Sequence, residues 1–100
     1  MTLLVLPAEV TQSQAETCLA LLRTAARASR EGEIVIDAAP LERFDSSALA
    51  VLLECRRDCL ADGKRFAVAG MPPRLAELAA LYGVANLLAT QAPEPAPTPD

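Results

Sequence analysis

Few residues in this chain have the type and spacing to do chemistry. Asp45-Ser46-Ser47 sets a carboxylate beside two hydroxyls, cysteines stand at 18, 55 and 59, and the 100 residues contain no histidine. Without imidazole the usual general base is missing, and with it the usual activator of a Ser or Cys nucleophile and the commonest metal ligand. Ser-His-Asp hydrolysis is thereby excluded, and no Lys or carboxylate is spaced to replace the missing base. No catalytic residue is assigned, and the chain is not expected to be an enzyme. Cys55 and Cys59 lie one helical turn apart, which is at most half a metal site; no C-x-x-C pair or histidine supplies the rest. Three thiols, an odd number, fit a reducing compartment and small core positions better than a disulfide scaffold. No metal is expected.

That leaves Asp45-Ser46-Ser47. Asp and Ser oxygens accept hydrogen bonds from the free N–H groups of a helix's first turn. The triplet sits between the β-rich run Glu33-Ile34-Val35-Ile36-Asp37 and an apolar-periodic run from Ala48 to Leu60. A strand, a short loop and a helix start place Ser46 near the positive end of a helix dipole, at an exposed rim. Such a position holds an anion, accepts a phosphate, or caps the helix.

The elements that position it follow from periodicity. Leu3 to Leu6 reads as a short strand ended by Pro7. Thr11 with Gln14 and Ser13 with Glu16 form overlapping capping boxes ahead of a helix striped by Ala15, Cys18, Leu19, Leu22, Ala25 and Ala26. Arg23, Arg27 and Arg30 suit the negative end of its dipole, and Gly32 stops it. Glu33 to Asp37 reads as a fully buried strand, because its β-branched residues run without alternation. Leu41 and Phe44 tuck under the loop that presents Asp45. A second helix from about Ser47 to Asp62 carries two apolar rows: Ala48, Val51, Leu52, Cys55 and Cys59, and, about 100° away, Leu49, Leu53 and Leu60. That arc is wider than one sheet contact requires, so the flank near Leu49 and Leu53 either touches neighbours in the same domain or docks a partner protein.

Phe66 to Ala69 makes a further strand. Pro72-Pro73 then heads a helix striped by Leu75, Leu78, Ala79 and Tyr82, with Gly83 as its stop. Val84, Leu87 and Leu88 form a last short apolar segment. From Thr90 the chain is rich in Pro, Ala and Thr with little to bury, so residues 90–100 are expected to be a disordered tail behind a domain spanning 1–89. The pattern is α/β: a small mixed sheet covered by about three helices.

Bulk properties narrow the function. A net charge of −4 and a pI near 4.7 argue against nucleic-acid binding through the phosphate backbone and against electrostatic attachment to a membrane. No apolar run approaches the ~20 residues needed to span a bilayer, and Met1 to Pro7 lacks the basic leader of a secretory signal, so a cytoplasmic protein is expected. No Gly-rich phosphate loop precedes either later helix, and no cofactor is expected.

The order strand, helix, strand, Asp-Ser-Ser, helix, strand, Pro-headed helix resembles the STAS domains, which include bacterial anti-sigma-factor antagonists and modules of sulfate transporters. The resemblance covers about residues 3–89. It is carried by Ile34-Val35-Ile36-Asp37, by Phe44-Asp45-Ser46-Ser47-Ala48-Leu49-Ala50, and by Gly63-Lys64 with the strand that follows. The closing run from Leu75 to Val84 is most similar to the small STAS subunit of the Mla phospholipid-trafficking ABC transporter. Where anti-sigma antagonists read Gly-Leu-Gly after the Asp-Ser-Ser or Asp-Ser-Thr triplet, this chain has Ala48-Leu49-Ala50. Its Leu49-Ala50 matches the transporter type, and Asp45-Ser46-Ser47 the regulators.

The resemblance implies a non-catalytic interaction subunit whose partner is the transporter's ATPase, held at the inner membrane only through that partner. Its alternative is an anti-sigma-factor antagonist that faces an anti-sigma factor and kinase and is switched by phosphorylation of Ser46. In either case the expected partner surface is Asp45, Ser46, Ser47, Leu49, Ala50 and Leu53.

Overall fold

Ile34, Val35 and Ile36 are the most deeply buried consecutive residues of the chain, and the sheet extends outward from them. The structure, a computed structural model, describes residues 1–88; the expected tail from 90 onward lies outside them. Strand β3 (Glu33–Asp37) is central, with β1 (Thr2–Val5) on one side and β5 (Arg65–Ala69) on the other. Both ladders are parallel, Thr2 lying opposite Ile34 and Ile34 opposite Phe66. A central parallel strand is shielded on both faces, which is why β3 shows no alternation in sequence.

Parallel neighbours need long crossovers. Helix α1 (Gln12–Ala28) links β1 to β3, and α2 (Ser46–Ala61) links β3 to β5. Helix α3 (Pro73–Leu81) and a 3-10 turn (Ala85–Leu88) complete the described chain. The α/β class and the three covering helices are as expected from sequence. The directions are more uniform than the mixture anticipated, because each helix returns the chain to start the next strand the same way round: every ladder among the described residues is parallel.

A second ladder was not legible in the sequence. Strands β2 (Glu9–Val10) and β4 (Arg43–Phe44) pair in parallel, reinforced by N–H groups of Glu42 and Arg43 donating to the Ala8 carbonyl at 2.7 and 3.0 Å. Two residues are too few to show a period. This ladder joins the segments that immediately precede α1 and α2, and so brings the two helix starts side by side.

One core holds these pieces. Cys18, Leu22 and Ala26 of α1 meet Ala48, Val51, Leu52, Cys55 and Cys59 of α2 over Ile34, Ile36 and Val68. Leu75 and Ala79 of α3 and Leu88 close the far side. Each buried Leu, Ile or Val contributes about 1.5–3 kcal/mol relative to exposure.

Polar ties fix the helices. Of the two capping boxes read from sequence, the first forms, with Gln14 Oε1 accepting the Thr11 N–H at 2.9 Å and its hydroxyl at 2.5 Å. Helix α1 ends at Ala28, before Gly32, and the Lys64 ammonium from the turn after α2 donates to its terminal carbonyls, Ala26 O at 2.6 Å and Ser29 O at 2.9 Å. Arg23, expected to serve the α1 dipole, reaches across to α2 instead, bonding Asp58 through Nε and Glu54 through Nη2 at 3.2 Å. At the exit of β5, Gly70 has φ of +65°, and a Cβ there would lie 3.0 Å from the Ala39 Cβ. Only glycine fits that close approach.

Candidate interaction site

Asp45 is the N-cap of α2, with extended backbone (φ −131°, ψ −164°) and its Oδ1 accepting the Ser47 N–H at 2.8 Å. Its other oxygen accepts the N–H of Gln12, the first residue of α1, at 3.2 Å. One carboxylate therefore serves the first turns of two helices, whose positive dipole ends the β2–β4 ladder has set together. Hydrogen bonding from Ser47, and then from Gln12, holds the Asp45 carboxyl below its usual range. Of the three roles left open for the Ser46 position, capping falls to its neighbour. Ser46 occupies the first helical position, exposed, and the capping is done by Asp45.

The other residues of the expected surface divide. Ala50 is exposed like Asp45 and Ser46, while Ser47 and Leu53 are half-buried. Leu49 is 2% exposed and belongs to the core, so it offers a partner nothing. The physical reason is that α2 is covered on two flanks, by α1 and the sheet and also by α3 and the 3-10 turn. Its second apolar row is thus consumed inside the domain as far as Leu49, is half-covered at Leu53, and reaches solvent at Leu60. Ala50 opens on the α1 side, into a groove with Ala15, Glu16, Leu19 and Glu54.

Ser46 opens on the opposite side of the helix start, into a cleft of about 450 Å³. Phe44, Asp45 and Ser46 form one wall; Arg74, Glu77, Leu78, Leu81 and Tyr82 of α3 and its end form the other. The Arg74 guanidinium lies over the Phe44 ring, 5.5 Å from its centroid, in cation–π geometry. Tyr82, expected on the buried stripe of α3, is 57% exposed: the helix ends at Leu81, and Tyr82 as C-cap turns outward. Leu81 is 77% exposed. The α3 wall was missed in the sequence, although Arg74, Leu78 and Leu81 recur at i, i+4 and i+7 and so share one helix face.

The cysteines take no part. All three are free and buried, and burial, with Cys59 adjacent, pushes the Cys55 thiol up to about 12. A thiol held protonated in this way is a poor nucleophile. Among the described residues no helix is long and apolar enough to cross a membrane.

A family model described as "Mlab, STAS domain" matches residues 2–89. The chain belongs to the STAS domain family. Its fold matches that of an anti-sigma-factor antagonist (STAS) domain protein from Planctomyces limnophilus, with a TM-score of 0.75 at 17% identity, over 88% of this chain and 79% of that one. The anti-sigma factor antagonist SpoIIAA in its unphosphorylated form matches with a TM-score of 0.69 at 20% identity, over 84% of this chain and 73% of that one. At such identities the likeness is one of fold. Comparison with curated protein sequences finds no match. STAS domains act through protein–protein interaction, and the rim at Asp45 and Ser46 is a surface on which this one has polar groups to offer.

Proposed function

We propose that this STAS domain is a non-catalytic cytoplasmic subunit that binds the ATPase of a phospholipid-trafficking ABC transporter and stabilises or regulates it. The observation that carries the reading is the division of labour at the start of α2. Asp45 caps α2 and also accepts one first-turn N–H of α1, whose own cap is Thr11 with Gln14, so Ser46 beside it stands exposed at the mouth of a cleft with no cap to make there. The MlaB-type family match supports this choice of partner.

An anti-sigma-factor antagonist switched by phosphorylation of Ser46 is the second reading, favoured by the likeness to SpoIIAA. The local electrostatics favour it less. The N–H groups of Ser47 and Ala48 are already bonded to Asp45, so a phosphate on Ser46, bringing about −1.5 to −2 charges, sits beside a like charge with Arg74 as the one cation lining the cleft.

Co-expression with the transporter ATPase of the same cell tests the first reading. The two proteins should co-purify, and Ser46→Arg, which adds bulk and charge at the rim, should reduce recovery at least tenfold with circular dichroism unchanged. Ser46→Ala should bind nearly as wild type, and protein isolated from cells should have the unmodified mass. Phosphate on Ser46, with constitutive binding of an anti-sigma factor by Ser46→Ala, would establish the second reading instead.

A further inference from the structure

We infer that the cleft between β4 and α3 is an anchor pocket for a helix of the partner protein that carries a bulky apolar side chain with a lysine or arginine one turn away, which rests on reading the Asp45–Ser46 rim as the partner-facing surface. The cleft is lined by apolar groups the domain itself leaves uncovered. Leu81, at 77% exposed, is the most exposed of the domain's large apolar side chains, and the half-exposed Tyr82 stands beside it. Large apolar groups clustered around a concavity mark a docking site, whereas scattered ones do not. With lips this exposed the cleft cannot enclose a small molecule to the usual extent of about 70–90% of its surface. A protein segment, which brings its own backing, covers such lips as it inserts.

Charge selects the companion residue. Three ionic side chains line the cleft: Asp45, Arg74 and Glu77. Arg74 is exposed and keeps its charge over the Phe44 ring, but two carboxylates outnumber this one cation, so the lining carries a net charge of −1 (two negative, one positive). Asp45 is fixed by its two backbone N–H donors, so its charge is held in place at the rim. The complement of a net-negative lining with one fixed carboxylate, edged by exposed apolar groups, is a cation carried next to an apolar anchor, and i, i+4 spacing on a helix presents both to one face.

The test titrates the isotope-labelled full-length chain with a synthetic helical peptide carrying Leu and Lys four positions apart, and with a second peptide carrying Leu and Glu. Amide shifts should centre on Phe44, Ser46, Arg74, Leu81 and Tyr82. The Leu–Lys peptide should bind at least tenfold tighter, Leu81→Ala should abolish most of the affinity, and Glu77→Lys should reverse the preference. Equal binding of the two peptides, shifts mapping to another surface, or no shift at millimolar peptide would overturn the assignment. So would a self-association of the wild type that Leu81→Ala removes, since the occupant would then be a second copy. If the ATPase binds wild type and Leu81→Ala alike, the cleft assignment fails while the transporter-subunit reading stands. If the Leu–Lys preference holds and the ATPase does not bind, the converse is true.

Discussion

Between Glu54 and Cys59 helix α2 is closed against its neighbours; between Asp45 and Ala50 it is open. At the closed end Cys55 and Cys59 are buried, Arg23 of α1 clasps both Glu54 and Asp58, and Lys64 just beyond seals the end of α1. At the open end one face is packed through Ala48 and Leu49, but Asp45, Ser46 and Ala50 remain in solvent with a concavity on each flank. Stability and recognition are thus segregated along a single helix, and a binding surface built this way can change its side chains without unfolding what holds it.

The largest expected effect is at Leu49, which lies within the open end and yet belongs to the core. Leu49→Ala should cost about 2–5 kcal/mol, the range for emptying a core leucine site. For a domain of this size that lowers the melting temperature by well over 8 °C, measured by calorimetry or urea unfolding. Were Leu49 a partner contact, the loss would appear in binding and hardly at all in stability.

Next in size is Lys64→Met at the closed end. It keeps the aliphatic stem and deletes two charge-assisted bonds to Ala26 O and Ser29 O, for an expected loss of about 1.5–3 kcal/mol in urea unfolding. Partner binding should be untouched.

The smallest effects come from neighbours at the open end. Asp45 is depressed in the folded state by its N–H donors, so its contribution is fully present above the unfolded aspartate pKa of about 3.9 and is lost as pH falls through the lower folded value. Asp45→Asn keeps an acceptor oxygen but removes that linkage. Its unfolding midpoint, followed from pH 7 down to about pH 2.5, should therefore fall less steeply than wild type in the acid range. Some slope should persist, because Glu31, bonded to the amino terminus, is depressed as well. Ser46→Ala should shift stability by less than about 0.5 kcal/mol, as a surface substitution with no cap to lose.

Much of this was readable in the sequence, for reasons that also explain the failures. The period of 3.6 found all three helices and their buried stripes, and the unbroken β-branched run found β3. What escaped depends on groups far apart in the chain. Asp and Ser are about equally good caps, so residue type did not separate Asp45 from Ser46; and the Gln12 N–H that also binds Asp45 lies 33 positions away. Leu49 was ambiguous because a second apolar row is satisfied equally well by α3 or by a partner, and only the packing says which. Tyr82 kept helical spacing with Leu75 and Leu78, yet the helix stopped one residue short of it.

The two ladders of the three-stranded sheet share one offset: Thr2 faces Ile34 and Ile34 faces Phe66, each pair 32 residues apart. Among the described residues no hairpin is available as a seed, and each ladder can zip only after its whole helical crossover has been drawn back. Closing such loops is entropically uphill until the long-range contacts form. This places the chain among slower-folding small domains, in which helices flicker early and the sheet arrives late. During synthesis β5 emerges last of these three strands, so β3 waits with one edge bare, and its Ile-Val-Ile run is the segment a nascent chain most needs to keep from other chains.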